Sequence, residues 1–268
     1  MHRLSRQVRF SVNPFLGDVG DGYNSYASRP CGEGLCLYFG LWVELAGAVD
    51  DDTGFVVNVV EIDRVVRRFA IPVFVEGICG RFGEGEHVGL SEVCGYLQAG
   101  WGAICDKFGS ARLVRLCLEL NPFRKLAIES EDSEMVYFSE KFEFAAMHTL
   151  WNDKFSKDKN LEVFGKCANP AGHGHNYVVE VTVRGGVDGR VCGIGPFERV
   201  VEEEFIQIVD HRNLNIDIEA FRERTTTVEN ISSFAWERLA GKFGDAELAE
   251  ITIWETEKTY CRVTGATG

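Results

Sequence analysis

This 268-residue sequence predicts an α+β fold of two tandem modules, each a four-stranded sheet with two helices on one face. Three observations lead there. Segments of two-residue apolar alternation are interleaved with segments of helical spacing. They run in the same coarse order in both halves. Whole phrases also recur at one distance: KFGSARLVRLCLEL begins at Lys107 and KFGDAELAEITIWE at Lys242, 135 residues apart.

The same distance carries Trp101 onto Trp236 and Arg64-Val65-Val66 onto Arg199-Val200-Val201. With a few gaps, Gly32-Glu33-Gly34 falls on Gly172-His173-Gly174. We read an internal duplication with copies of about 130 residues, joined near the polar segment Glu129 to Glu134. The modules are then residues 1–130 and 131–268.

The elements of the second module follow in order. Tyr137 to His148 alternates, with Phe138, Phe142, Phe144, Ala146 and His148 on one parity, and predicts a strand. A long loop carrying Cys167 leads to a partner strand over Asn176 to Arg184, or from the histidines themselves. Val179, Val181 and Val183 share a face with His173 and His175 there. Pro196 opens a helix with Phe197, Val200, Val201, Phe205 and Ile208 inward. A second helix starts at Thr226-Thr227-Val228-Glu229, a capping-box pattern, and buries Ile231, Phe234, Ala235 and Leu239. Ile251 and Ile253 begin a third strand ending at Trp254-Glu255, and Tyr260 to Val263 offers a fourth. Such a sheet, covered by helices on one face, should bury the other by oligomerising.

Bulk properties narrow the function. Apolar content of 45% and charged content of 26% are those of a globular chain. No apolar run approaches the ~20 residues that span a bilayer. The N-terminal MHRLSRQVRFSVNPF lacks a signal peptide's apolar core, so a cytoplasmic location is expected. A net charge of −13 argues against nucleic acid and requires any anionic substrate to meet a local basic cluster. Nine cysteines without a C-x-x-C pair read as reduced thiols.

The chemistry gathers in FGKCANPAGHGHNY, Phe164 to Tyr177. His148, His173 and His175 all face inward, which supplies three imidazoles and leaves a fourth zinc position for water or substrate. A closed structural site with Cys167 as fourth ligand, or hydrogen-bonded core histidines, remain open readings at this level. Cys167, beside Lys166 in a polar turn-rich loop, can serve as base or nucleophile if a nearby cation favours its thiolate. Asp210-His211 pairs a carboxylate with an imidazole, either a proton carrier or a solvated turn. Glu255 at a strand end can accept paired N–H donors from a heterocycle, or lie on the surface. Glu229 has its own structural explanation as the capping-box glutamate.

Together these pieces resemble the 6-pyruvoyltetrahydropterin synthases and their relatives, the 6-carboxytetrahydropterin synthases. The matching residues run F-x-F-A-A-x-H (Phe142 to His148), FGKCANPAGHGHNY, D-H-R-N-L-N (Asp210 to Asn215), T-x-E-N (Thr227 to Asn230) and W-E-T (Trp254 to Thr256), covering effectively the whole second half. The resemblance implies a tunnelling fold: a four-stranded antiparallel sheet and two helices whose subunits join into a β-barrel with active sites at the interfaces. It implies 7,8-dihydroneopterin triphosphate as substrate and zinc on His148, His173 and His175. Cys167 would abstract a proton, Asp210 and His211 would relay a second, and Glu255 would anchor the pterin, with Thr227 and Glu229 lining the pocket. Lys166 and the Lys154, Lys157, Lys159 group are triphosphate candidates on charge alone. The product would be 6-pyruvoyl-tetrahydropterin, or 6-carboxy-tetrahydropterin of the queuosine route. A non-catalytic pterin-binding protein is the reading from another class.

Two departures concern Gly193, where the family has Asp or Asn, and Thr226, where Pro is frequent. The larger departure is the first module, whose counterparts are Glu33 and Leu35 for the histidine pair, Val75-Glu76 for Asp-His and Leu120 for Glu255. Those residues cannot reproduce the zinc site or the proton relay, so the first copy should be chemically silent and the chain a trimeric ring or a multiple of it.

Overall fold

The structure is a computed structural model and describes residues 1–15, 24, 26–29, 35–186 and 193–265. The expected counterpart Gly32-Glu33-Gly34 lies outside the described residues. The chain divides into two compact units, one of residues up to Phe138 with 184–186, the other of 139–183 with 193–265. Among the described residues no helix is long and apolar enough to cross a membrane.

In the first unit β1 (His2–Val12), β2 (Leu37–Gly47), β3 (Arg112–Glu119) and β4 (Arg124–Glu129) pair antiparallel in that order. Alternation sends Val8, Phe10, Leu41, Val43, Leu116, Leu118, Leu126 and Ile128 inward, each essentially solvent-free. Tyr38 and Trp42, on the other parity of β2, are exposed. The inward face meets helices: α1 (Val59–Val65), a π-helical turn Val66–Ala70, α2 (Ile71–Gly83) and α3 (Leu90–Ile104). Phe10 contacts Phe74 of α2 at 5.7 Å and Phe39 of β2 at 5.3 Å.

β5 (Asp132–His148) starts in the first unit and ends in the second, where the strand order is β5, β6 (His173–Gly186), β8 (Glu247–Thr256) and β9 (Thr259–Thr264). The expected fourth strand is thus present. The two-residue β7 (Arg212–Asn213) pairs parallel with Ala146 and Met147 of β5. Among the described residues neither unit's strand order returns on itself, so neither closes a barrel there.

Between β5 and β6 the chain is not a loop throughout. α4 (Lys157–Phe164), capped by the Ser156 hydroxyl, runs into a 3-10 turn Gly165–Ala168 that holds Cys167. The fully buried Asn160 pins this excursion, accepting from the Asn152 N–H and donating to the Asn152, Phe155 and Ser156 carbonyls. One side chain that supplies such local backbone partners substitutes for a strand neighbour.

The helical layer is α5 (Ile194–Val201), a π-helical turn Glu202–Ile206, α6 (Gln207–Val209), the single turn α7 (Leu214–Asp217) and α8 (Val228–Leu239). α8 buries Ile231, Phe234, Ala235 and Leu239 as expected. From α5 through the π turn to α6 the buried residues are Phe197, Val201, Phe205, Ile206 and Val209, whereas Val200 and Ile208, both expected inward, are only half-buried. The π turn inserts an extra residue and rotates the downstream side chains by one position, which α-helical spacing does not anticipate. The first unit does likewise: Ile62, Val66, Ala70 and Phe74 are buried around its π turn. Gly109 and Gly244, each in K-F-G, both adopt left-handed φ (61° and 65°). Only glycine takes that conformation without cost, which explains why this phrase recurs.

Candidate metal and catalytic site

His148 is the last residue of β5 and, at 1% exposure, shares the inward parity of Phe144 and Ala146. His173 and His175 open β6 on the face that continues through Tyr177, Val179, Val181 and Val183. Gly172 lets the chain enter there. Its φ is +74°, and a Cβ would sit 3.1 Å from Met147 Cγ and 3.2 Å from the His148 carbonyl oxygen.

The three imidazoles converge. One nitrogen from each lies within 4.8 Å of the others, His148 Nε2 and His173 Nε2 being 3.0 Å apart. His148 Nδ1 is 2.7 Å from the Thr226 carbonyl, which can only accept, so Nδ1 carries the proton and Nε2 presents a lone pair. Burial pushes His148 down to about 4, against the Thr226 bond that favours the charged form, and His173 and His175 push it further. Burial also lowers His173, with His175 adding to the shift and Glu255 opposing it. Neutral imidazoles are the form that ligates metal. His175 Nε2 and His173 Nδ1 are buried with no hydrogen-bond partner. The set fits a divalent cation of borderline softness with a fourth position open.

Around this triad the structure adds a carboxylate and a phenol. Glu255, near the end of β8, places Oε1 at 3.7 Å from His148 Nε2 and 3.9 Å from His175 Nε2. Tyr177 is fully buried, its ring stacked on Phe144 at 4.8 Å and touching His175 at 5.5 Å. Cys167 is half-buried, and its backbone carbonyl accepts the Leu150 N–H at 2.9 Å, which ties its turn to the chain two residues beyond His148.

Asp210 and His211 stand at the edge of β5. Asp210 Oδ1 accepts the Ala145 N–H at 2.8 Å, and Oδ2 meets His211 Nδ1 at 2.7 Å. The Ala145 bond chiefly holds Asp210 below the usual carboxylate range, with burial opposing and His211 helping. His211 has φ +55°, the one non-glycine residue with positive φ among those described, and its N–H donates to the Ala145 carbonyl. This strained turn leaves its side chain 82% exposed. An open cleft of about 520 Å³ is lined by Ala145, Met147, His175, Asn176, His211 and Asn213. It joins His211 to His175, and Cys167 is not among its walls.

Two expectations change. Thr227, not Thr226, is the N-cap of α8, its hydroxyl accepting the Asn230 N–H. Glu229 therefore falls one position short of the capping-box place and is exposed on the first turn. Thr226 is instead fully buried: its carbonyl holds His148 and its hydroxyl donates to the Thr149 carbonyl. Sequence reasoning missed Thr226 and Tyr177, the first because a carbonyl leaves no side-chain signature. The second shares the parity of Val179 and Val181, and nothing in that position signals a hydroxyl without a partner. Lys154, Lys157, Lys159 and Lys166 are exposed, and Lys159 pairs with Glu162 at 3.1 Å.

Three imidazoles that could hold a metal, on a sheet backed by helices, define an α+β protein with a candidate metal site. The family model for 6-pyruvoyl tetrahydropterin synthase matches residues 137–266. Human 6-pyruvoyl tetrahydrobiopterin synthase is similar at 37% identity over 122 residues, 44% of this chain and 84% of the relative. The Drosophila melanogaster protein of that name is 37% identical over 135 residues, 49% of this chain and 80% of the relative. A solved Caenorhabditis elegans 6-pyruvoyl tetrahydropterin synthase shares 34% identity with a TM-score of 0.46, over 49% of this chain and 96% of that one. The chain belongs to the 6-pyruvoyl tetrahydropterin synthase family.

Proposed function

We propose that this chain is a zinc-dependent lyase that converts 7,8-dihydroneopterin triphosphate to 6-pyruvoyl-tetrahydropterin with loss of triphosphate. The observation that carries this reading is the convergence of His148, His173 and His175 on one point, with Glu255 against them. The relatives named above support the pyruvoyl product over the carboxy one.

Bound to the three imidazoles, zinc would act as a Lewis acid toward side-chain oxygens on which negative charge develops. The protein's own residues do the remainder. Thr226 fixes the tautomer and angle of His148. Glu255 accepts the N–H edge of the pterin, with Thr227 and Glu229 as further pocket residues. The Cys167 thiolate takes the first proton from the side-chain carbon. Asp210 keeps His211 oriented through Nδ1, leaving Nε2 to pass the second proton. The lysines of the Cys167 segment are the candidates for the triphosphate.

We further read the two units as tandem modules, the first without chemistry. The ring pair Phe144–Tyr177 of the second unit resembles Phe10–Phe39 of the first. On that register Leu35 and Leu37 stand where His173 and His175 do, in place of the Glu33 and Leu35 expected from sequence. Leu35 is 95% exposed and Val75-Glu76 lie within α2, continuing a helix where Asp210-His211 end one. The silent unit would serve assembly, in a trimeric ring or a multiple of it. Cys36, Cys79, Cys94, Cys105, Cys167 and Cys261 carry free thiols, which suits a cytoplasmic location.

Mass spectrometry of the products formed from 7,8-dihydroneopterin triphosphate tests the reaction. Release of triphosphate with the pyruvoyl product is expected, and unchanged substrate in zinc-loaded protein would refute it.

A further inference from the structure

Tyr177 is fully buried, and its hydroxyl is shielded from solvent with no hydrogen-bond partner. A buried hydroxyl without a partner is costly, so phenylalanine would be the more stable residue for stacking on Phe144. Two further orphaned atoms, His173 Nδ1 and His175 Nε2, belong to the same wall. The carboxylate beside that wall is Glu255. In this structure its Oε1 leans on His148 Nε2 and His175 Nε2 at 3.7 and 3.9 Å. Those nitrogens present lone pairs to a metal and cannot then donate to the carboxylate. Glu255 would be left without a donor, and Tyr177 is the hydroxyl without a partner on that wall. The Tyr177 ring packs edge-on against both of those imidazoles, its centroid 6.2 Å from that of His148 and 5.5 Å from that of His175.

We propose that Tyr177 is a positioning residue: its hydroxyl donates to the Glu255 carboxylate and holds it aimed at the substrate when the histidines are occupied. This rests on reading Glu255 as the pterin anchor. It makes Tyr177 responsible for ring affinity rather than for proton transfer.

The test is Tyr177→Phe in zinc-loaded protein, with neopterin binding followed by fluorescence. Zinc content should be unchanged and the neopterin Kd should rise about 10-fold, as for loss of a hydrogen bond to a charged group. KM should rise with it while kcat stays within about twofold, the mark of lost ground-state binding. In a Glu255→Gln background the same change should add less than about twofold, since the two residues act as one unit. Neopterin binding unaffected in Y177F, additive losses in the double variant, or loss of zinc from Y177F would each overturn the assignment. Wild-type protein that fails to bind neopterin would instead sink the pterin reading itself.

Discussion

His148 Nδ1 donates to the carbonyl oxygen of Thr226 across 2.7 Å, tying the last residue of β5 to the residue just before the cap of α8. Because the acceptor is backbone, the bond survives most changes at position 226. Thr226→Ala should therefore leave zinc content intact and lower stability by about 1 kcal/mol through the lost Thr149 contact. Urea denaturation with metal analysis checks both halves, and loss of zinc would mean the side chain matters more than the carbonyl.

His173→Ala removes a ligand without emptying a deep core position, since His173 is only half-buried. Zinc should then be lost on dialysis against a mild chelator, where the parent protein retains it. For the parent, chelation should lower the melting temperature, because a ligand bound only by the folded state at 100 times its Kd contributes about 2.7 kcal/mol. Restored zinc should restore both melting temperature and turnover.

In metal-free protein His148 makes stability depend on pH. Its pKa is lowered from 6.5 to about 4, so between these values the unfolded chain binds a proton that the folded chain refuses. Its contribution is in place above pH 6.5 and is lost as pH falls toward 4, amounting to about 2–3 kcal/mol. Urea titrations of chelator-treated protein at pH 7.5 and 4.5 should show this loss, and His148→Gln should flatten the profile.

Cys167→Ser should cut kcat by about 10²–10⁴-fold, the usual range for a positioned proton carrier, with zinc content unchanged. Cobalt-substituted protein should show no thiolate-to-metal charge-transfer band. Such a band would place Cys167 in the coordination sphere and restore the closed structural reading.

Asp210→Asn keeps an acceptor for the Ala145 N–H but removes the charge that faces His211 Nδ1. Folding and metal content should hold while kcat falls about 10²-fold or more. A pH–rate profile and kcat matching those of the parent protein would argue against the relay.

Much of this was legible from residue types alone. Alternation placed His148 with Phe144 and Ala146, and His175 with Val179 and Val181, because side chains two apart on a strand share a face. Helical spacing found the buried side of α8. It failed beyond Phe205, where the π turn put Val209 inward in place of Ile208. The capping phrase was read one residue early, because Thr226 and Thr227 both qualify and only the fold selects between them. The Cys167 segment looked like loop since its apolar residues are few, and Asn160 organises it through backbone bonds that no pattern displays.

The sequence by itself determined which side chains can do chemistry and on which face of a strand they lie, since those follow from residue type and local periodicity. Only the tertiary structure decided that three histidines from two strands meet within 4.8 Å, that Thr226 orients one of them, and that Glu255 lies against two of them. Those are distances between residues remote along the chain. They are set by strand register and by helices packing on one face, which no local pattern records.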